Sequence, residues 1–286
     1  MFYYLALMQF LLLLLLLFLS WQAWLYFRRL RLKKRIETSP FPAELRSYLQ
    51  QIPHYRLLDD SLKKTLHQKI LYFLATKEFR GVKITVTEEM KAVISFYACL
   101  MVLKIPDECY EVLRTILIYP SEVLYEDLRA HGGIYRKERV ILEGQSAGDT
   151  VVIAWNDARK EAYHLRHHNV VVHELAHVLD FEDGMMDGVP PLERSRTDEW
   201  ARVLYRRFQA LQTKARKNRD WGKYALLGAY AATDEAEFFA VVTELYFQSP
   251  WILTKHFPDL YREWKSFFGL DTARLFAPLE KRQGLS

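Results

Sequence analysis

Residues 2–27 constrain this chain more than any other stretch, because they carry no charged side chain and are almost wholly apolar. At about 1.5 Å per helical residue, such a run outlasts the roughly 30 Å hydrocarbon core of a bilayer, so it can span one. Phe2, Tyr3 and Tyr4 stand at one end and Trp21, Trp24, Tyr26 and Phe27 at the other, with leucines filling residues 11–17. Aromatic rings settle in this way at the two interfaces of a membrane.

Arg28, Arg29, Arg31, Lys33, Lys34 and Arg35 follow at once, whereas the other flank has no basic side chain. The positive-inside bias then places the C-terminal side in the cytoplasm, the orientation of a single-pass protein of a bacterial inner membrane. A cleaved signal peptide is the competing reading. It would put its charges before the apolar run and a small-x-small site after it, and this sequence does neither. The expected organisation is an anchor at 1–27, a basic juxtamembrane segment and linker at 28–42 carrying Pro40 and Pro42, and one domain at 43–286.

Residues 1–36 hold six of the 40 basic residues and none of the 35 acidic ones, so what remains is close to neutral. The basic excess suits anionic lipid headgroups, and a nucleic-acid partner is not expected. Two cysteines, Cys99 and Cys109, are too few for a disulfide scaffold and lack metal-site spacing; core packing is their expected role.

The domain reads as α+β, mostly helical. Asp60 or Ser61 can cap a helix with Leu62, Leu66, Ile70, Phe73 and Leu74 on one face, and Thr87 another with Met90, Val93, Ile94, Tyr97 and Met101. Runs rich in β-formers at 115–119, 139–142 and 151–155, separated by Pro120, Gly132-Gly133 and Gly144 to Gly148, predict a small sheet. The last of them could be an edge strand that receives an extended peptide or a covered strand with a packing role. Helical patterns return near 193–215, 234–248 and 251–268.

Between strand and helices stands His173-Glu174-Leu175-Ala176-His177. Residues four apart share a helix face, so His173 and His177 can offer two imidazole nitrogens to one divalent ion while Glu174 points about 100° away, placed to take a proton from water without being a ligand. Val170, Val171, Val172, Val178 and Leu179 give the helix a buried setting, with Asn169 as an N-cap. A catalytic zinc takes three protein ligands, and the best third candidate is Glu237, in the first turn of a helix preceded by Tyr230. Asp180 competes, but lies three residues from His177 on the same helix.

The pairing of His-Glu-x-x-His with Tyr230-x6-Glu237-Phe238-Phe239-Ala240 resembles the Mlc titration factor A family of zinc peptidases and, more remotely, the peptidase domain of anthrax lethal factor. The likeness extends through Leu117-Ile118-Tyr119-Pro120, Ala154-Trp155, residues 173–180 and Gly188-Val189-Pro190, and so covers most of the soluble part. The N-terminal anchor departs from the soluble members of that family. The resemblance implies a gluzincin-like fold with Zn2+ held by His173, His177 and Glu237, Glu174 as general base, and Tyr230 as hydrogen-bond donor to the oxyanion. Two alternatives stay open: Glu237 could complete a capping box with Asp234, and Tyr224 rivals Tyr230. Glu244, seven residues after Glu237, and Asp180 are candidates for orienting a ligand imidazole, whereas His164, His167 and His168 are expected to be solvated.

Two functions follow as expectations. One is a membrane-tethered cytoplasmic metallopeptidase that hydrolyses peptide bonds with metal-activated water and Glu174 as base. The other is an interaction protein, since the resemblance also implies binding and sequestration of a glucose-responsive transcriptional repressor, Mlc.

Overall fold

A computed structural model describes residues 2–105, 110–121, 149–217 and 221–280. The apolar run forms one helix, α1 (Phe2–Thr38), which is long and apolar enough to cross a membrane. Residues 1–41 and 42–286 form two compact units.

The second unit begins with α2 (Ala43–Leu49), α3 (Pro53–Arg56), α4 (Asp60–Thr76) and α5 (Glu88–Met101). Asp59, one residue before the expected cap, accepts the Leu62 N–H at 2.8 Å and starts α4. Leu62, Leu66, Ile70 and Phe73 are buried as the periodicity requires, while Leu74 is only half-buried. Thr87 caps α5 through the Met90 N–H at 3.3 Å. Burial on α5 is not confined to the expected stripe: residues 92–101 are buried without a break, Cys99 among them. The helix is enclosed because α2, α4 and the helices formed by residues 155–163 and 170–180 all pack on it.

Three parallel strands, β1 (Glu78–Gly81), β2 (Thr115–Tyr119) and β3 (Thr150–Ala154), lie in that order. Thr115 pairs with Glu78 on one side and with Thr150 on the other. All five residues of β2 are buried, as expected of a strand between two neighbours. β1 has no strand signature, since its charged Glu78 and Arg80 pair with each other at 2.7 Å on an exposed edge and its order comes from backbone bonding to β2. The strand expected at 139–142, the glycines at 132, 133, 144 and 148, and Cys109 lie outside the described residues. β3 is the other edge among the described residues, and it stops at Ala154 because Trp155 opens α6 (Trp155–Tyr163).

There follow α7 (Val170–Asp180), α8 (Arg194–Lys217), α9 (Glu235–Gln248), α10 (Pro250–His256) and α11 (Pro258–Phe268). The pattern at 251–268 is two helices, not one: Phe257 takes φ −140°, ψ 56° ahead of Pro258, which has no N–H to continue the ladder and disfavours helical backbone before it. α7 packs on β3, α5 and, most extensively, α9. Behind α9, Trp200 stacks on Trp264 with centroids 4.4 Å apart, and the Trp264 indole donates to Thr243 Oγ1 at 2.9 Å. The helix that carries one half of the site thus rests on a rigid aromatic floor.

His54 is wholly buried on α3, edge-on to Phe276 at 4.8 Å and to Tyr97 at 6.0 Å, and burial lowers its pKa to about 4. An unfolded chain would protonate this residue near pH 6.5. As pH falls from about 6.5 to about 4, only the unfolded state takes up the proton, so stability is lost through that window, by roughly 3 kcal/mol at its lower end. Urea unfolding followed by tryptophan fluorescence at pH 7 and pH 4.5 is expected to show a smaller acid loss for His54→Phe than for the unsubstituted chain. An equal loss in both would remove His54 from the acid response.

Candidate metal centre

The first turn of α7 is held by three side chains from different parts of the chain. Asn169 Oδ1 accepts the Val172 N–H at 3.1 Å, Glu161 of α6 accepts the Val170 N–H at 2.6 Å, and Glu244 of α9 accepts the Asn169 N–H at 2.7 Å. Burial pushes the Glu161 carboxyl up to about 7, against the opposing effect of that backbone hydrogen bond. With Val171, Val172, Leu175, Ala176 and Leu179 buried, the helix cannot rotate without exposing its apolar face, and His173 and His177 are aimed at α9.

On α9 the cap does the corresponding work. Asp234 accepts the Glu237 N–H at 2.8 Å, which fixes where the helix begins. The capping alternative for Glu237 is therefore realised by its backbone, while its carboxylate goes elsewhere. Glu237 Oε2 stands 3.1 Å from His173 Nε2 and 3.4 Å from His177 Nε2, and the two imidazole nitrogens are 3.2 Å apart. All three residues are buried.

That triangle fits a metal ion. Four ligands arranged tetrahedrally at about 2.0–2.1 Å from zinc stand about 3.3–3.4 Å from one another, close to the three spacings here. Two neutral imidazoles and one carboxylate are also a donor set that zinc accepts, leaving a position for water. His173 is held for this purpose by Glu244, whose Oε1 lies 2.7 Å from Nδ1, so that the proton sits on Nδ1 and the Nε2 lone pair faces the cluster. Burial works against the charge on Glu244, but hydrogen bonds from His168, His173 and the Asn169 backbone keep its carboxyl below the usual range.

Glu174, the next residue on α7, is half-buried. The Tyr230 ring lies 5.9 Å from that of His173, with the residue 41% exposed. Its rival Tyr224 is buried against Phe257 at 5.4 Å, with Arg207 Nη1 3.4 Å from its hydroxyl. Asp180 does not join the cluster: its Oδ2 accepts the Gly188 N–H at 3.0 Å, and burial raises its pKa to about 7. His164 and His168 are exposed as expected, whereas His167 is half-buried, and both His167 and His168 take partners. His167 Nδ1 lies 2.6 Å from Ser249 Oγ and His168 Nδ1 3.5 Å from Glu244 Oε2. Neither partner, nor the bond from Glu161 to Val170, follows a local spacing rule, so periodicity had no means of finding them.

A family model described as glucose-regulated metallo-peptidase M90 matches residues 27–269, starting where the apolar run ends. An uncharacterized protein of Synechocystis sp. is 31% identical over 259 residues, covering 87% of this chain and 90% of its own length. Proteins named Mlc titration factor A are also similar. The one from Serratia proteamaculans is 32% identical over 66% of this chain and 72% of its own length, and the one from Klebsiella pneumoniae strain 342 is 30% identical over 77% and 83%.

Removing the carboxylate that orients His173 is expected to weaken metal binding without touching a ligand. Zn2+ affinity of Glu244→Leu, measured by competition with a chromophoric chelator, should fall about 10–100-fold, and Glu244→Gln, which retains an acceptor, should lose less.

Proposed function

The chain belongs to the glucose-regulated metallo-peptidase M90 family, and from that premise we propose that it is a zinc peptidase tethered by α1 to a bacterial inner membrane, with its domain facing the cytoplasm. The observation that carries this reading is the convergence of His173 Nε2, His177 Nε2 and Glu237 Oε2 at 3.1–3.4 Å, the spacing of ligands around one ion. Zinc bound there would acidify a water and polarise a peptide carbonyl.

The chain's own residues supply the rest. Glu174, beside the ligands yet partly exposed, accepts the proton of the attacking water and passes it to the leaving amine. Tyr230, whose ring lies 5.9 Å from that of His173, donates its phenolic hydrogen bond to the oxyanion of the tetrahedral intermediate. β3, at the edge of the described sheet and packed on α7, can pair by its backbone with an extended peptide and set its register beside the cluster. The basic residues after the apolar run support the cytoplasmic orientation and an anchor in preference to a signal sequence.

The name borne by several relatives, Mlc titration factor A, favours a second reading, in which the domain binds a repressor of the Mlc type. A tether would then draw that repressor away from DNA to the membrane.

Peptide hydrolysis by the zinc-loaded full chain is expected to fall by about two to four orders of magnitude in Glu174→Gln, and kcat by about a hundredfold or more in Tyr230→Phe, both at unchanged metal content. Hydrolysis that survives Glu174→Gln would contradict the assigned base. Deleting residues 1–36 is expected to release the protein from the membrane fraction, and to weaken derepression of a reporter if repressor capture is its role.

A further inference from the structure

Among the described residues of the 42–286 unit, the large apolar side chains that stand exposed are Met185 at 57%, Met186 at 39%, Leu226 at 43% and Tyr230 at 41%. Scattered singly, such groups would need no explanation. All four fall in two segments: two lie in the segment that leaves α7 and two in the segment that enters α9, the helices carrying His173, His177 and Glu237. These segments meet. Gly188, at φ +77°, approaches Glu235 so closely that a Cβ would stand 2.8 Å from its carbonyl oxygen, and Asp180 feels the charges of Asp187, Asp183 and Asp234 together. Tyr230 stands beside His173, with ring centroids 5.9 Å apart.

The same segments are acidic. Residues 181–192 and 226–237 contain Glu182, Asp183, Asp187, Asp234, Glu235 and Glu237 and no lysine or arginine. Asp183 is exposed and Asp187 and Glu235 are half-buried, so their negative potential reaches solvent beside the methionines. That charge disfavours an anionic lipid surface as the occupant of the patch and favours a chain that combines apolar with cationic groups.

We propose that residues 183–187 and 226–235 form an apolar, acidic rim on the metal site that selects peptides with a large apolar side chain near the scissile bond and lysine or arginine beyond it. The proposal rests on the peptidase reading for the words scissile bond, but the rim's preference can be measured without turnover. Methionine suits such a role because its unbranched side chain adapts to apolar groups of different shape.

The test uses the full chain in phosphatidylcholine nanodiscs, zinc-loaded and carrying Glu174→Gln, with fluorescence anisotropy of three labelled peptides. One has a Leu-Phe core between lysines, one an alanine core between lysines, and one a Leu-Phe core between glutamates. The first should bind about tenfold more tightly than either of the others. Met185→Ser with Met186→Ser should abolish the preference for the Leu-Phe core. Asp183→Asn with Asp187→Asn, which keeps the side-chain oxygens bonded to the Met185 and Val189 N–H groups, should abolish the preference for lysine. Equal affinity for all three peptides, or preferences that survive these substitutions, would overturn the proposal. Cleavage of the same peptides by the chain with Glu174 intact separates the two readings. Turnover without preference would leave the peptidase standing and remove the rim, whereas selective binding without turnover would leave the rim and remove the peptidase.

Discussion

The site depends on one helix pair. α9 presents two carboxylates to α7, seven residues apart on one face, and each does a different job. Glu244 takes the Asn169 N–H at the very start of α7 and His173 Nδ1 one turn later, so it fixes both the height of α7 against α9 and the tilt of one imidazole. Once that register is set, Glu237 falls opposite Nε2 of both histidines. A slip of one residue along α9 would rotate Glu237 by about 100° away from them.

Such a cluster is costly to bury. Three polar side chains are taken out of water among largely apolar neighbours, and an ionised carboxylate in that setting requires compensating charge or hydrogen bonds. The fold provides them in layers. Glu244 has His173, His168 and a backbone N–H, while Glu237 has the two imidazoles. A divalent ion among the three converging atoms would add positive charge beside Glu237, which links metal binding to stability. The stacked pair of Trp200 and Trp264 behind α9, and the closed packing around α5, keep this arrangement from relaxing when the site is perturbed.

Much of this was legible in the sequence because it rests on local rules. The i, i+4 histidines, the Asn169 and Thr87 caps, the β-branched run at Thr115–Tyr119 and the apolar N-terminal stretch each imply their structure through spacing or composition. What escaped depends on tertiary neighbours. β1 exists because β2 offers an edge, and its residues Glu78-Phe79-Arg80-Gly81 carry no alternation to betray it. Asp59 in place of Asp60 or Ser61 at the cap of α4 is a choice among adjacent acceptors that spacing does not resolve. The helix break at Phe257 is written in Pro258, although the apolar periodicity runs on either side of it. His167 is half-buried against the expectation because its partner, Ser249, is 82 positions away.

The central claim is that His173, His177 and Glu237 hold one zinc ion, and zinc K-edge X-ray absorption of the purified full chain tests it most directly. One zinc per chain is expected, with two imidazoles and light oxygen ligands at about 2.0–2.1 Å, lost together in His177→Ala. A chain that retains no zinc, or a spectrum with sulfur at about 2.3 Å or unchanged by His177→Ala, would contradict it.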